Sequence, residues 1–324
     1  MQTRTYGDLF KLVQSLAGVT AFSDNEQDDI ANLINRRYQA AFNTSPIWPR
    51  YLVQSEERTL SIFSVSGYSD DAYNGLFYNY GDDSNGNPVY VRTQKLSNGV
   101  RSGTAYIKSG TRWFFSGGSY SRDVNTGVVT FSGVVTINIQ RDTDVDYENP
   151  WDVVWAQLDG GLPQVTKVQT VAYTELIPGY TSSDAVVDRA TIGEFIRIHR
   201  KDSFLNNSAV EYDFYVNEEG AHILNISNTG DTSVFVTYKK PFTAFTTSSD
   251  YTNSTEEVPG EFFQYIAYGT YADFLRMDGQ HDKAQLEDQN AQFALAQQLE
   301  RVDAIMNNNT INKKFSTYVN RQSR

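Results

Sequence analysis

The sequence predicts an α+β protein in which helices from the two ends of the chain form one helical bundle, interrupted by a large antiparallel β region. Apolar residues recur at helical spacing over about 5–42 and 259–306, and about two hundred residues between these segments alternate with a period of two. Because short helices do not bury their apolar faces alone, the N-terminal helices are expected to pack against the C-terminal ones. The predicted divisions are 1–57 and 251–306 for the two parts of the bundle, 58–250 for the β region and 307–324 for an extended C-terminal arm.

Two helices are predicted near the N-terminus. The first is short and amphipathic and ends near Gly18, a residue type suited to the position after a helix. The second starts at a capping box in which the Ser23 hydroxyl and the Glu26 carboxylate each accept a hydrogen bond from a backbone amide of the first turn. The apolar stripes are Tyr6, Leu9, Phe10, Leu12 and Val13 in the first helix and Ile30, Leu33, Ile34, Tyr38, Ala41 and Phe42 in the second.

A turn with two prolines ends the second helix. Pro46 and Pro49 forbid its continuation, and the apolar residues beside them provide a surface to bury. We interpret Trp48 as an anchor that folds the chain back onto the bundle, rather than as an exposed interface residue. The other predicted anchors of the bundle are Tyr38, Phe262 and Phe274.

The β region consists of short strands separated by turns rich in Gly and Asn. The turn signals include the pair Asn85 and Gly86, the pair Asn98 and Gly99, and the segment 125–127. A second series of strands starts near 164, and 217–220 joins two of its members as a predicted hairpin.

Two further helices are predicted near the C-terminus. Pro259 suits the first turn of one helix, and Gly279 suits the position after its end. A long helix follows over about 282–306, and the Asn-rich segment 307–324 then loses the helical period, so we expect it to become ordered only by docking. The apolar positions of the two helices are Phe262, Phe263, Ile266, Tyr271, Phe274 and Leu275, then Leu286, Phe293, Leu295, Leu299, Val302 and Ile305.

Composition argues against several classes of function. The 324 residues contain no Cys and three His, which excludes disulfides and thiolate metal sites and leaves little for imidazole chemistry. The net charge of −12 argues against a surface that tracks phosphates, although the segment after Met306 carries four basic residues and no acid, so the remainder carries about −16. No stretch resembles a signal peptide or a membrane span, so we expect no membrane partner.

One acidic segment resembles the start of a calcium loop. Asp142, Asp144 and Asp146 alternate, which would present several hard oxygens to one ion. Tyr147 stands where an EF-hand needs Gly, and Val153 stands where the loop-closing Glu belongs. We therefore favour a solvated acidic turn, and no metal or cofactor is predicted.

No catalytic set emerges from the remaining polar residues. The pairs at 70–71 and 82–83 are acidic, but a glycosidase needs two carboxyl groups at a fixed separation across a cleft, and charged hairpin ends explain them more simply. The three histidines, His199, His222 and His281, lack neighbours that suggest a triad or a ligand set. The chain is therefore predicted not to be an enzyme.

Both ends of the chain resemble the head-to-tail adaptor (connector) proteins of tailed bacteriophages. The resemblance covers about a third of the chain and lies in the segments 6–13, 30–42 with the Pro-Ile-Trp-Pro at 46–49, 237–242, 258–263 and 271–284. Residues 68–157 also look like a small β module that recurs in phage structural proteins and elsewhere, inserted here into the β region. Simple adaptors lack such a long middle segment.

The resemblance implies a structural virion protein of the neck or tail, assembled in the host cytoplasm. Its helical bundle would form a homo-oligomeric ring, expected to have about twelve subunits, that joins the portal protein ring to the tail or nozzle proteins. The ring would extend the DNA channel, through which DNA passes without specific binding. The residues expected to dock onto the portal are Lys313, Lys314, Phe315, Tyr318, Arg321 and Arg324.

A second hypothesis assigns the function to the β module. Exposed aromatic residues of the insert at 68–157 would stack on sugar rings. The chain would then be a tail or decoration protein whose β module binds glycan on the host surface. Ring formation without sugar binding distinguishes the adaptor from this alternative.

Overall fold

The computed structural model describes residues 4–70, 73–92, 104–123, 125–156, 162–173, 191–205, 210–224, 233–246 and 251–322. The protein is mixed α/β, with four helices and a large antiparallel sheet region in the described part. It divides into a helical unit, Met1–Leu52 with Phe242–Arg324, and a β unit, Val53–Pro241. The boundaries between the two units that the sequence predicts, after residues 57 and 250, lie a few residues later than the observed ones, after Leu52 and Pro241. The difference arises because Leu52 already begins a strand and Phe245 belongs to the helical core.

The helical unit contains the four helices and one short two-stranded ladder. Its helices are α1 (Tyr6–Ala17), α2 (Asp24–Asn43), α3 (Phe263–Met277) and α4 (His281–Gln322). The strands β1 (Arg4–Thr5) and β14 (Glu257–Val258) pair antiparallel and bring the two chain ends together. α1 ends at Gly18 with a φ of 71°, as the sequence predicts, because Gly adopts the left-handed conformation without strain.

Capping boxes fix the starts of α1 and α2. The predicted box at Ser23 is present: its backbone N–H donates to the Glu26 carboxylate over 2.8 Å. A second box, which the sequence analysis missed, begins α1, where the Thr5 hydroxyl accepts from the Asp8 amide and the Asp8 carboxylate accepts from the Thr5 amide. These bonds satisfy amides that the first turn of a helix leaves unpaired.

All four helices contribute to one apolar core. Its buried side chains come from both ends of the chain, including Phe10 of α1, Ile34 of α2, Ile266 of α3 and Leu295 of α4. Aromatic contacts dominate its centre, where the rings of Tyr38 and Phe245 stack with centroids 4.4 Å apart. The N-terminal helices therefore bury their apolar faces against residues more than two hundred positions away.

α4 differs from the prediction in its length. The sequence predicts a helix that ends near Met306 and an extended arm over 307–324, whereas α4 continues as a helix to Gln322. The prediction of an extended arm is therefore wrong for 307–322. Asn is only a moderately poor helix former, and adding a residue to an existing helix costs far less than nucleating a new one. Residues 323–324 lie outside the described residues.

The β unit contains two sheets. The strand order is β10–β13–β2 in the smaller sheet and β11–β12–β9–β3–β4–β5–β6–β7–β8 in the larger one. The strands are β2 (Leu52–Thr59), β3 (Ser61–Ser66), β4 (Gly75–Asp83), β5 (Pro88–Arg92), β6 (Thr104–Ser109), β7 (Arg112–Arg122), β8 (Val128–Ile139), β9 (Gln164–Ala172), β10 (Glu194–His199), β11 (Phe214–Val216), β12 (Gly220–Ile223) and β13 (Ser233–Lys239).

The chain segment that contains β4–β8 begins after β3 and ends before β9, and these two strands are neighbours in the larger sheet. β3 and β9 pair antiparallel with Ser66 opposite Gln164, so the chain departs and returns side by side. The five strands between them follow in sequence order, and the start of β8 pairs in parallel with the end of β4, with Asp82 opposite Val128. The predicted insert at 68–157 thus supplies strands that extend the larger sheet.

Several predicted turns are present. β11 and β12 form the predicted hairpin at 217–220, in which the Asn217 amide donates to the Gly220 carbonyl. Gly86 and Gly127 have φ values of 80° and 75°, which Gly adopts readily. The turn at Asn98 and Gly99 lies outside the described residues.

Many of the described aromatic side chains of 68–157 lie in apolar cores of the β unit. Tyr106, Trp113 and Phe115 are fully buried, and Tyr106 stacks on Phe115 with centroids 4.5 Å apart. Among the side chains described in this segment, the exposed large apolar ones are Val134, Val135, Val145 and Val154. None of the helices in the described ranges has the length and apolarity needed to cross a membrane.

Candidate interface of the helical unit

The turn after α2 and the middle of α4 border a groove of about 300 Å³, which we call the α4 groove. Pro46 and Pro49 end α2 and place Trp48 against the core, where its ring edge meets the Phe262 ring with centroids 4.8 Å apart. The Trp48 indole N–H donates to the Ala41 carbonyl over 3.1 Å, which fixes the ring. The groove is lined by Trp48, Pro49, Arg50, Glu261, Gln298, Arg301 and Val302.

The opposite side of α4 carries two exposed apolar side chains, which we call the α4 outer face. Leu286 is 58% exposed and Phe293 is 66% exposed. They are seven residues apart, or two turns and about 10 Å along the helix axis. The core side of α4 presents Ala284, Ala291 and Leu295 instead, all buried.

A buried ionic network holds α2, α3 and α4 together. The Arg37 guanidinium donates two hydrogen bonds of 2.7 Å to the Asp273 carboxylate, and its Nη1 lies 2.9 Å from Asp288 Oδ1. Arg276 also contacts both carboxylates, at 2.6 Å and 3.1 Å. Gly269 leaves room for the Arg37 side chain, because a Cβ there would lie 3.0 Å from Arg37 Cδ.

The network shifts the pKa values of Asp273 and Arg37. Burial alone would raise the pKa of Asp273, but its hydrogen bonds with Arg37 and the positive charges nearby outweigh burial and lower the pKa. For Arg37, burial opposes the charged form, but the bonds to Asp273 prevail and raise its pKa. Both groups therefore stay ionised, so the network is a fixed set of charges.

The sequence analysis missed this network, although one signal was present. Arg37 lies seven residues after Ile30 and three after Ile34, which places a cation on the apolar stripe of α2. A charge on a buried face requires a partner of opposite sign. The sequence does not reveal that this partner is Asp273, because Asp273 lies 236 residues away from Arg37.

The predicted bundle anchors lie in the core of the helical unit but not at one point. Trp48 and Tyr38 both contact the Phe262 ring, with Tyr38 at a centroid distance of 6.1 Å. Phe274 is partly buried and contacts Phe22 instead, at 5.5 Å. Two of the anchors therefore surround Phe262 next to the α4 groove.

The predicted portal-docking residues occupy the last part of α4. Lys313, Lys314, Phe315, Tyr318 and Arg321 lie on its helical backbone, whereas Arg324 lies outside the described residues. The side chains beyond Ala304 are also outside the described part. The structure therefore provides a helix, in place of an extended segment, as the element that carries these residues.

Two polar clusters of the β unit have structural roles. In the acidic turn, the Gln140 amide donates to the carbonyls of Asp142 and Val145, and Lys108 pairs with Asp146 over 2.7 Å. Among the described residues, no group of three or more potential ligands could hold a metal ion. The acidic turn is thus held by the Gln140 amide and by the ion pair with Lys108.

The second cluster surrounds His222. Its Nδ1 lies 2.7 Å from the Thr170 hydroxyl, and its Nε2 lies 3.4 Å from Glu219, an arrangement similar to a nucleophile–base–acid series. Thr170 is fully buried. Burial lowers the pKa of His222 more than the Glu219 charge raises it. The cluster ties β9 to β12, and it gives His222 two polar neighbours that the sequence does not indicate.

Comparisons with known proteins do not identify the chain. No protein-family model matches it, and neither curated proteins nor solved structures give a significant match.

Proposed function

We propose that this protein is a subunit of a head-to-tail adaptor ring in the neck of a tailed bacteriophage. The ring would join the portal to the tail and extend the DNA channel, and the chain would have no enzymatic role. The resemblance of the chain ends to adaptor proteins suggests this function. The structural observation that supports it best is the length of α4 relative to the unit to which it belongs.

α4 is much longer than the helix that packs against it. Its 42 residues rise about 63 Å, whereas the 15 residues of α3 rise about 22 Å. Among the α4 side chains that the structure describes, which end at Ala304, Val302 is the last in the apolar core, and twenty helical residues, about 30 Å, follow it. Helices gain most of their stability in proteins from packing, so this extension needs a partner to cover it.

The composition of the extension indicates the chemistry of that partner. Residues 307–322 contain three basic residues and no acid, and Ile311, Phe315 and Tyr318 recur at helical spacing in the sequence. A helix with this pattern fits a groove that has an apolar floor and an acidic rim. We assign this groove to the portal ring, with the tail or nozzle proteins contacting other surfaces of the adaptor ring.

The first experiment is native mass spectrometry of the full chain mixed with the matching portal ring. We expect a stoichiometric complex, and we expect its loss when the chain is truncated after Met306, because the docking helix is removed. Changing Lys313 and Lys314 to Gln should weaken the complex at least about tenfold and reduce its dependence on salt.

A matched control removes two positive charges elsewhere. The exposed residues Lys201 and Lys240 of the β unit, changed to Gln, should leave the complex intact. Absence of a complex with the full chain at low and physiological salt would contradict the adaptor function. A complex that survives the truncation would contradict docking through α4.

A further inference from the structure

A β-bulge interrupts β9 beside the hairpin of β11 and β12. Ser61 of β3 lies opposite Thr170 of β9, and Phe63 lies opposite Lys167. Two steps along β3 therefore match three steps along β9, so β9 contains an extra residue at this point. The ladder between β9 and β12 ends at the same place, where Thr170 pairs with His222. Among the described residues, the two strands make no further pairs beyond it.

The bulge brings side chains of β9, β11 and β12 to one face of the sheet. Residues paired across an antiparallel ladder share a face, and so do alternate residues of one strand. The two β3 residues named above are alternate residues, so their partners Thr170 and Lys167 share a face as well. His222 pairs with Thr170, and Tyr215 pairs with His222, so both lie on this face. Without the extra residue, Lys167 would lie on the opposite face.

A cavity of about 370 Å³ lies where β9 and β12 separate, and we call it the β9–β12 cavity. It opens to solvent, since Tyr215 is 53% and Leu224 is 42% exposed. Ligand pockets in proteins measure about 300–1,000 Å³, so this cavity suits a small ligand. Both apolar and polar side chains line it, among them Val168, Leu224, Lys167, Gln169, Tyr215 and His222.

Three polar groups of the cavity have no protein partner in the described part of the chain. The Gln169 amide and the Tyr215 hydroxyl make no hydrogen bond there, and the Lys167 amine pairs with no carboxylate. The Lys167 amine lies 5.4 Å from the centre of the Trp151 ring, a contact that does not neutralise its charge. An ammonium, an amide and a hydroxyl are therefore available to one ligand.

The charges and rings of the lining favour an anion that has a C–H face. Burial lowers the pKa of His222, so Lys167 carries the charge of the lining at neutral pH. Glu219 contacts His222 Nε2 at 3.4 Å but does not line the cavity, and its other oxygen accepts from the Ser64 hydroxyl over 3.3 Å. The rings of Tyr215 and His222 stack with centroids 4.9 Å apart and form an aromatic wall.

We propose that the β9–β12 cavity binds an acidic sugar, a pyranose ring that carries a carboxylate. The carboxylate pairs with the Lys167 amine, and ring hydroxyls bond to the Gln169 amide and the Tyr215 hydroxyl. The C–H groups of the sugar pack on the stacked rings, whose faces are electron-rich. A sugar suits this lining because it carries polar groups and C–H groups around one ring. The inference goes beyond the adaptor function, and its site lies outside the insert at 68–157.

Saturation-transfer difference NMR of the purified full chain tests the site. The acidic probes are the methyl glycosides of glucuronic acid, galacturonic acid and N-acetylneuraminic acid, and the neutral probes are those of glucose and galactose. We expect at least one acid to bind with a dissociation constant below about 5 mM, and at least about threefold more tightly than the neutral probes. Added salt should reduce this preference, because it screens the exposed ion pair.

Two variants locate the binding. Lys167→Gln should bring the acidic and neutral probes within about twofold of each other, because the charge is removed. Tyr215→Ala should weaken binding of all probes at least about fivefold, because the aromatic wall is lost. Matched controls remove an exposed cation and an exposed ring elsewhere in the β unit: Lys240→Gln and Phe204→Ala should change each affinity less than about twofold.

Three results would overturn the inference. One is the absence of binding by every acidic probe up to about 20 mM, and another is equal affinity of the unchanged chain for acidic and neutral probes. The third is binding that neither Lys167→Gln nor Tyr215→Ala alters. Both positions are exposed at the surface of the sheet, and circular dichroism verifies that each variant keeps its strands.

Discussion

Replacing Arg37 by Met is expected to lower the free energy of unfolding of the helical unit by about 3–5 kcal/mol. The change leaves the Asp273 carboxylate, whose side chain is 8% exposed, without the two hydrogen bonds that Arg37 donates. Asp273 then keeps only the bond from the partly exposed Arg276, and a buried charge that loses its main partner is among the most destabilising changes in a core. Chemical denaturation followed by the helical circular dichroism signal measures the effect.

Arg276→Met provides a matched control for this prediction. Arg276 contacts the same two carboxylates, but its side chain is 40% exposed, so water replaces much of its contribution. We expect a loss of about 1 kcal/mol or less. A second variant, Arg37→Met with Asp273→Leu, removes the unpaired charge and should recover much of the stability. Equal losses for Arg37→Met and Arg276→Met would contradict the dominant role of the buried cation.

The pH dependence of stability gives a second readout of the same network. The pKa of Asp273 is lower in the folded protein than in the unfolded chain, where it is about 3.9. Its contribution to stability is therefore fully present above the unfolded pKa and is lost as the pH falls through the folded pKa. Arg37→Met removes the strongest interactions that lower the pKa of Asp273, so this pKa should lie higher in the variant than in the unchanged protein. The stability gap between the two proteins should therefore narrow as the pH falls from about 5 towards the folded pKa of the unchanged protein.

Replacing Trp48 by Ala is expected to cost about 3–5 kcal/mol in the same unfolding transition. Trp48 is fully buried, and the change removes both its contact with Phe262 and its hydrogen bond to the Ala41 carbonyl. Because domains of this size are stable by only about 5–15 kcal/mol, the helical unit should lose a large part of its stability. Thermal unfolding followed by circular dichroism provides the measurement.

Trp48→Phe separates the two contributions of this residue. It retains an aromatic ring against Phe262 but loses the indole N–H, so we expect a loss of roughly 1–2 kcal/mol. Trp151→Ala serves as a control in the β unit, where Trp151 contacts Phe63, and it should spare the helical transition. A Trp48→Ala variant as stable as the unchanged chain would show that the predicted anchor is dispensable.

Local signals in the sequence predicted the coarse fold well. The Ser23 capping box, the left-handed Gly18 and the hairpin at 217–220 depend on residues close in sequence, and all three are present. The helical spacing of Leu9, Phe10 and Ile34 likewise corresponds to buried positions. Such features are accessible because the chemistry of a few neighbouring residues determines them.

Features that depend on distant residues were not accessible in this way. The ion pairs of Arg37 and the α4 groove need the positions of α3 and α4, which periodicity alone does not give. Strand order in the larger sheet is likewise set by tertiary pairing, as the neighbouring positions of β3 and β9 show. The sequence predicts an end of α4 that is too early, because its Asn-rich composition suggests a break, whereas extending an existing helix costs little free energy.

The division of the helical core between the two chain ends has a consequence for synthesis on the ribosome. About 190 residues separate Leu52 from Phe242. Because the ribosome adds roughly 5–20 residues per second, α1 and α2 are synthesised about 10–40 s before α3. In chains stalled on the ribosome before residue 242, α1 and α2 should therefore be sensitive to protease, whereas the β unit should be protected. Limited proteolysis of such nascent chains measures this difference. A prematurely terminated chain would lack both the finished helical core and α4.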